Sequence, residues 1–386
     1  MKRPFILGLN NTIPAAPFMT TKELHDRVGH NTGNLAFHHA ITQQLGGDLK
    51  AVDWSATPQQ IDATGDIAVL PCANQLGSHS NLGGLGKKFA QMKSNMVAIG
   101  LGAQSGVDGR LPDVPDGTLD WLRTIIDLKG GQGPNITLRG EFTLSVLDRY
   151  GLADHAVVMG CPTLYMNPDP ELGQKIAANI REPKRIAVAS GHQQWKHLAR
   201  VEASLANLVT ATSGAYVGQS PMEMIALTRG EADLLSVEAL TACRDYACPA
   251  MDLEEFARWS KIYGQVFFDI PTWMDYYRRF DFVLGLRIHG VMLALQAGVP
   301  ALCIVHDSRT LELCQTMLVP YVMARDVVSG ISRAALMNLF KFDAAAFDAN
   351  RQKLCRRYID FLEDNQLQPA AWLQRIADAA TVAADA

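Results

Sequence analysis

Paired cysteines are missing from this sequence. Its 386 residues include seven cysteines, at 72, 161, 243, 248, 303, 314 and 355, and no two are spaced CxxC. An odd, scattered set excludes a disulfide framework and a structural zinc site, and reduced thiols fit a cytoplasmic protein. Excess positive charge is missing as well: 35 Lys and Arg against 39 Asp and Glu leave −4, with a pI near 6.2. No nucleic-acid partner is expected from that balance, although a local basic pocket is allowed. A long uncharged apolar run is also absent. The greasiest stretch, Phe282 to Val305, holds Arg287, His289 and Gln296. No membrane span is therefore expected, and any membrane association would be peripheral. The start, MKRPFILGLNNTIPAAP, is basic and then apolar, but Asn10 and Asn11 interrupt it, so no signal peptide is expected. Internal repeats, heptad seams and low-complexity tracts are missing. So are GxGxxG, a Walker lysine, GxSxG, HExxH and a closely paired carboxylate motif. A serine or zinc hydrolase is disfavoured and no metal site is expected. His38 and His39 are adjacent, so they face different sides of a helix.

What is present is a globular composition: 48% apolar, 19% charged, mean hydropathy +0.02. At about 150 residues per domain the length predicts two or three domains. Short apolar runs alternate with amphipathic stretches. PFILGL, DIAVLP, MVAIGLG, NITL and AVVMGC read as strands, and NLAFHHAITQQL, GKKFAQMKSN, LDWLRTIIDL and EFTLSVLDRYG as the helices between them. Strands apolar on both faces indicate a parallel sheet covered by helices. Prolines 162, 168, 170 and 183 interrupt the series and place a boundary at about 165–183. A second series follows: RIAVASG, a helix over His197 to Val209, then AYVGQ, VFFDI, DFVLGL and ALCIV as strands. The fold class expected is α/β, with two Rossmann-like doubly wound parallel-sheet domains, 1–165 and 183–343, facing across a cleft. Residues 344–386 read as helices broken at Pro369, with room to pack back on the first domain.

Ligands of open parallel sheets bind beyond the carboxyl ends of the strands. In DFVLGLRIHGVMLALQAGVPALCIVHDSR, Arg287 ends a strand, and His289 and Gly290 precede a helix. His306, Asp307, Ser308 and Arg309 follow the next strand. Arg287, His289, His306 and Arg309 therefore sit at adjacent strand ends beside a helix N-terminus, which suits a phosphate or carboxylate. Arg139 ends another strand just before a helix; its guanidinium either forks onto an anion or pairs with Glu141 or Asp148. Asn31, Thr32 and Asn34 flank Gly33 before a helix, as a cap, or as a turn that brings backbone close to a ligand. The polar loop GSHSNLGG, with His79, and Ser190-Gly191-His192 read as substrate-facing.

Three of these places, in order, resemble the polysaccharide pyruvyl transferase family. NTGNLAFHHAI is similar to its early N-x-G-D/N helix start, with Asn34 where an acidic residue is usual. ITLRGEFTLSVLDRYGL, followed by VVMGCPTL, resembles the segments that close its first domain. DFVLGLRIHGVMLALQAGVPALCIVHDSR closely resembles its R-[LI]-H…G-V-P block. The resemblance implies a glycosyltransferase-B-like domain pair, the first on the acceptor side and the second on the donor side. It also implies transfer of a pyruvate unit from phosphoenolpyruvate to a sugar of a polysaccharide or its precursor, giving a ketal and phosphate without a cofactor. Donor-binding roles carry over to Arg287 and His289, and Arg139 follows by position. His289 has the ordinary pKa range of an acid or proton relay.

Two other classes remain at this stage. A nucleotide-sugar glycosyltransferase has the same plan, with Glu312 available to a ribose. A non-catalytic carbohydrate-binding protein would show exposed aromatic platforms; Trp195 and Trp273 are the candidates among the six tryptophans.

Overall fold

The computed structural model describes residues 2–379. Six strands build the first sheet: β1 (Pro4–Leu7), β2 (Ala51–Val52), β3 (Ile67–Pro71), β4 (Asn95–Leu101), β5 (Ile136–Leu138) and β6 (Ala156–Val158). Six more build the second: β7 (Ile186–Ala189), β8 (Ala215–Val217), β9 (Gly264–Gln265), β10 (Phe282–Gly285), β11 (Ala301–Val305) and β12 (Tyr321–Met323). Every pairing is parallel. The central strands β3, β7, β10 and β11 are buried at every position, because helices cover both faces. The protein is thus the expected α/β pair of doubly wound sheets.

The strand orders place the site. The first sheet runs β2-β1-β3-β4-β5-β6 and the second β12-β11-β10-β7-β8-β9. Renumbered from its own start, the second is the 3-2-1-4-5-6 order of dinucleotide folds, and its direction of winding reverses between β7 and β10. Ser190 leaves β7 and Arg287 leaves β10 on either side of that reversal. Close approach of these strands requires Gly285, since a Cβ there would stand 2.1 Å from the Ala189 carbonyl.

Two local readings need correction, and two edge strands have no counterpart among the apolar runs. VFFDI is not a strand: pairing ends at Gln265, and Asp269 caps the helix Ile270–Tyr277 by accepting from Thr272 N. His289 and Gly290 lie inside the first turn of the helix Ile288–Gln296 rather than before it. The edge strands β2 and β12, two and three residues long, were too short to show as apolar runs.

The C-terminal helices Ala344–Asp364 and Ala371–Ala377 lie against the first sheet's half of the molecule. Asn365 donates to the Pro134 carbonyl and Ala370 N to the Gln44 carbonyl, at 2.9 and 2.7 Å. Arg351, fully buried, donates Nε to the Leu164 carbonyl at 2.9 Å and its two Nη groups to the carbonyls of Asp169 and Asn167. The opposite wall of the same crossing, Gly173 N and Gln174 N, donates to Asp348. Among the described residues no helix is long and apolar enough to cross a membrane.

Candidate active site

Arg139 is the deepest cation of the first lobe, 1% exposed. It follows β5, and its path is set by backbone: Nε donates to the Gly100 carbonyl at 2.8 Å and Nη2 to the Cys72 carbonyl at 3.2 Å. Two of its five N–H groups are thus committed and three remain. Its guanidinium lies 5.7 Å from the Phe37 ring, and Phe37 in turn lies 5.3 Å from the His289 ring. Phe37 comes from the helix Asn34–Gln44 and His289 from the second lobe, so this stack crosses the gap between lobes.

His289 is almost buried. Its Nε2 stands 3.8 Å from Cys161 Sγ. Gly33 presses against it: a Cβ there would come 3.4 Å from His289 Cβ, 3.1 Å from Asn31 Oδ1 and 2.8 Å from Gln219 Oε1. Asn31 holds that turn by accepting from Gly33 N at 2.9 Å, and Thr32 N donates to the Gln219 carbonyl across the gap at 3.0 Å.

Arg287 leaves β10 and lies over the Trp195 ring at 4.7 Å, with Nη2 reaching the Ser220 carbonyl at 3.4 Å. His306 packs on the same ring at 4.2 Å and His192 at 5.6 Å. Arg309 pairs with Asp307 at 3.2 Å. Neither Arg139 nor Arg287 is paired with a carboxylate among the described residues.

The nearby acids are turned to other tasks. Asp307 caps the helix Ser308–Met317, accepting from Thr310 N and Oγ1. Glu202 accepts from Gly191 N at 3.0 Å and from the hydroxyl of Tyr216, and burial raises its pKa. Glu312 accepts from Thr143 N at 3.0 Å and Thr143 Oγ1 at 2.7 Å, and burial raises it to about 7, against the pull of Thr143 and Arg139. A positive excess results. Burial first, then Arg139, Arg309 and Arg287, push His289 well below its ordinary range, so the imidazole is neutral at pH 7. Burial also lowers His306 to about 4 and, with Arg287, His192 to about 4. The Arg287 guanidinium is lowered by burial to about 10 and stays charged.

Buried polar atoms without partners gather in the same place. Ser190 Oγ, Gln193 Oε1, Gln219 Nε2, Arg287 Nε, His306 Nδ1 and Arg309 Nε have none among the described residues. Such atoms are costly unless a ligand or water meets them. Five are donors or can act as donors, which fits an anion.

The sequence pattern of one family, polysaccharide pyruvyl transferase, matches residues 31–308. That stretch contains Arg139, Arg287, His289 and His306; Arg309 and Glu312 follow it. The chain belongs to the polysaccharide pyruvyl transferase family. No curated protein matches the sequence. Among solved structures it is similar to UDP-N-acetylglucosamine 2-epimerase from Rickettsia bellii, with TM-score 0.40 and 12% identity over 93% of this chain and 97% of that one.

Not every residue singled out in the sequence joins the notch. Arg139, Arg287, His289, His306, Arg309, His192, Asn31 and Gly33 come together. Asn34 turns its side chain back to donate to the Val28 and Gly29 carbonyls, both at 3.0 Å, so it braces the turn. Glu312 is spent on Thr143. His79 is exposed and bonds the Asn74 carbonyl at 2.9 Å instead of the cationic groups. Trp273 is fully buried in the core, and Trp195 is a shelf for Arg287 and His306. Two residues escaped sequence reasoning. Gln219 reaches between Gly33 and Gly290, and Phe37 separates Arg139 from His289. Gln219 stands in no motif, and Phe37 sits unremarked among the apolar residues of NTGNLAFHHAI; only the β8 end and the helix face disclose them.

Proposed function

We propose that this transferase moves a pyruvate unit from phosphoenolpyruvate to a sugar of a polysaccharide or its precursor, releasing phosphate, without a cofactor and in the cytoplasm. The observation that carries the reading is the set of three guanidinium groups, Arg139, Arg287 and Arg309, acting on one neutral imidazole, with Arg139 and Arg287 paired with no carboxylate among the described residues and only Arg309 paired, with Asp307. Phosphoenolpyruvate offers a phosphate and a carboxylate on three carbons, so it needs several donors within a small volume. Arg287, Arg309 and the N–H groups opening Ile288–Gln296 supply them from the second lobe, and Arg139 from the first.

The chemistry balances as follows. One sugar hydroxyl adds to C2 of the donor while His289 delivers a proton to the methylene carbon, C3, and the proton that this hydroxyl gives up restores the imidazolium. A second hydroxyl of the same sugar then adds to C2 and the C2–O–phosphate bond breaks. The second hydroxyl's proton leaves with phosphate, and a cyclic ketal remains. His289 is the residue assigned to C3 protonation. Neutral in the empty site, it gains a proton when donor charge offsets the three guanidinium groups. The acceptor sugar enters from the first lobe, 1–165, and the donor is held by the second, 183–343.

The competing readings lose their supports. The carboxylate that a ribose would meet, Glu312, is held by Thr143, and the tryptophans that would bind a free glycan are buried or covered. A thermal-shift series separates them. We expect stabilisation by phosphoenolpyruvate of about 2.7 kcal/mol at 100 times its dissociation constant, and none from uridine or guanosine diphosphate sugars. Stabilisation by nucleotide sugars alone makes the protein a glycosyltransferase, and by free glycan alone a binding module.

A further inference from the structure

The helix Thr21–Arg27 belongs to the first lobe in sequence, yet it docks on the second. Thr21 Oγ1 donates to the Glu231 carboxylate, and Arg229 Nη2 donates to the Met19 carbonyl at 3.0 Å. The helix ends by doubling back. Gly29 and His30 take left-handed backbone, with φ of 57° and 66°. Gly29 N donates to the Asp26 carbonyl at 3.1 Å and His30 N to the His25 carbonyl at 2.8 Å. This folds His30 over the helix's last turn. The rings of His25 and His30 stack at 4.6 Å, and His30 Nε2 stands 3.7 Å from Asp26 Oδ1. One ligand atom from each of His25, Asp26 and His30 lies within 4.8 Å of the other two.

We propose that His25, Asp26 and His30 form a binding site for a zinc-like divalent ion at the seam between the lobes. Two imidazoles and one carboxylate are the donor set that suits Zn²⁺ and its first-row neighbours. Tetrahedral zinc with bonds of about 2.0–2.2 Å sets its ligand atoms roughly 3.4 Å apart, so binding draws these atoms in from within 4.8 Å and turns the stacked rings edge-on to the ion. Asp26 divides its two oxygens: Oδ2 takes Lys22 Nζ at 2.7 Å, and Oδ1 turns toward His30. The negative charge of Glu223, on the second lobe's helix Met222–Thr228, acts on His25 across the seam. Three protein ligands leave a fourth position for water. No familiar zinc spacing reveals the site in the sequence, because the left-handed turn supplies the juxtaposition. The inference does not depend on the pyruvyl-transfer reading.

The test uses the full chain stripped of metal by a chelator, titrated with Zn²⁺ alone by calorimetry and with Co²⁺ alone by visible absorption. We expect one equivalent of zinc, and the visible bands of four-coordinate Co²⁺. His30→Gly keeps the left-handed turn and His25→Gln keeps the helix; each should weaken binding by about tenfold or more. Circular dichroism in chelator shows that both variants fold. No binding to the native chain overturns the proposal, and so does an unchanged zinc affinity in the double variant.

Discussion

At the scale of single residues, the notch separates holding from protonating. Arg287 is fixed over Trp195 and paired with no carboxylate among the described residues, so its charge is available to a donor. Arg287→Ala should weaken phosphoenolpyruvate binding, measured by calorimetry, by tenfold or more if it forms one charge-assisted pair of about 1.5–3 kcal/mol. Unchanged affinity removes it from the donor site. His289 is a different case. His289→Ala should fold and still bind the donor, while turnover falls by about 10²–10³. Full phosphate release by that variant removes the assigned acid. The tripeptide Arg287-Ile288-His289 was readable because two polar residues interrupt an apolar run. The imidazole's neutrality was not readable: it follows first from burial between the lobes and then from Arg139 and Arg309, which meet it only in the fold.

At the scale of elements, one helix start is completed from outside and another is packed tight. The helix Glu141–Arg149 has no side-chain cap of its own; Glu312, from the other lobe, accepts from its Thr143 N instead. The helix Ile288–Gln296 packs against β7 through Gly290, where a Cβ would stand 2.6 Å from Ala189 Cβ and 2.8 Å from Gln219 Nε2. Neither atom lies at the tip of a long flexible chain with free space. Gly290→Ala should therefore cost about 1–3 kcal/mol, read as a lowered midpoint in denaturant, and should disturb the Gln219 contact. An unchanged midpoint means the helix shifts freely. Strands and helices of ordinary length were legible from apolar runs and from Gly46, Gly151 and Gly298, all at positive φ. The two-residue strands were not, since pairing with a neighbour rather than local pattern defines them. Glu312's role was hidden for the same reason: its partner lies 169 positions away.

At the scale of the whole molecule, burial of neutral histidines ties stability to pH. His38 is buried and lowered by burial to about 4, while its Nδ1 bonds the Asn34 carbonyl at 2.9 Å. His192 and His306 are lowered likewise to about 4. In the unfolded chain these groups titrate near 6.5. The unfolded chain thus binds more protons below that pH. The stability these groups supply is complete above about 6.5 and drains as pH falls toward 4. The melting temperature should be level just above neutrality and fall across that window. His38→Gln should flatten the slope, removing up to about 3 kcal/mol of its pH dependence. A slope identical to that of the native chain contradicts the assignment. The two-sheet plan itself was legible, because its alternation of runs repeats on either side of the proline-rich crossing.

That crossing is fastened from both sides. Arg351 grips three carbonyls, those of Leu164, Asn167 and Asp169, and Asp348, one turn earlier on the same helix, grips the amides of Gly173 and Gln174. The outbound and returning strands of the chain are riveted into one joint. The jaws therefore cannot pivot on either connection alone. A hinge motion of the two lobes would have to carry the long C-terminal rod along with it.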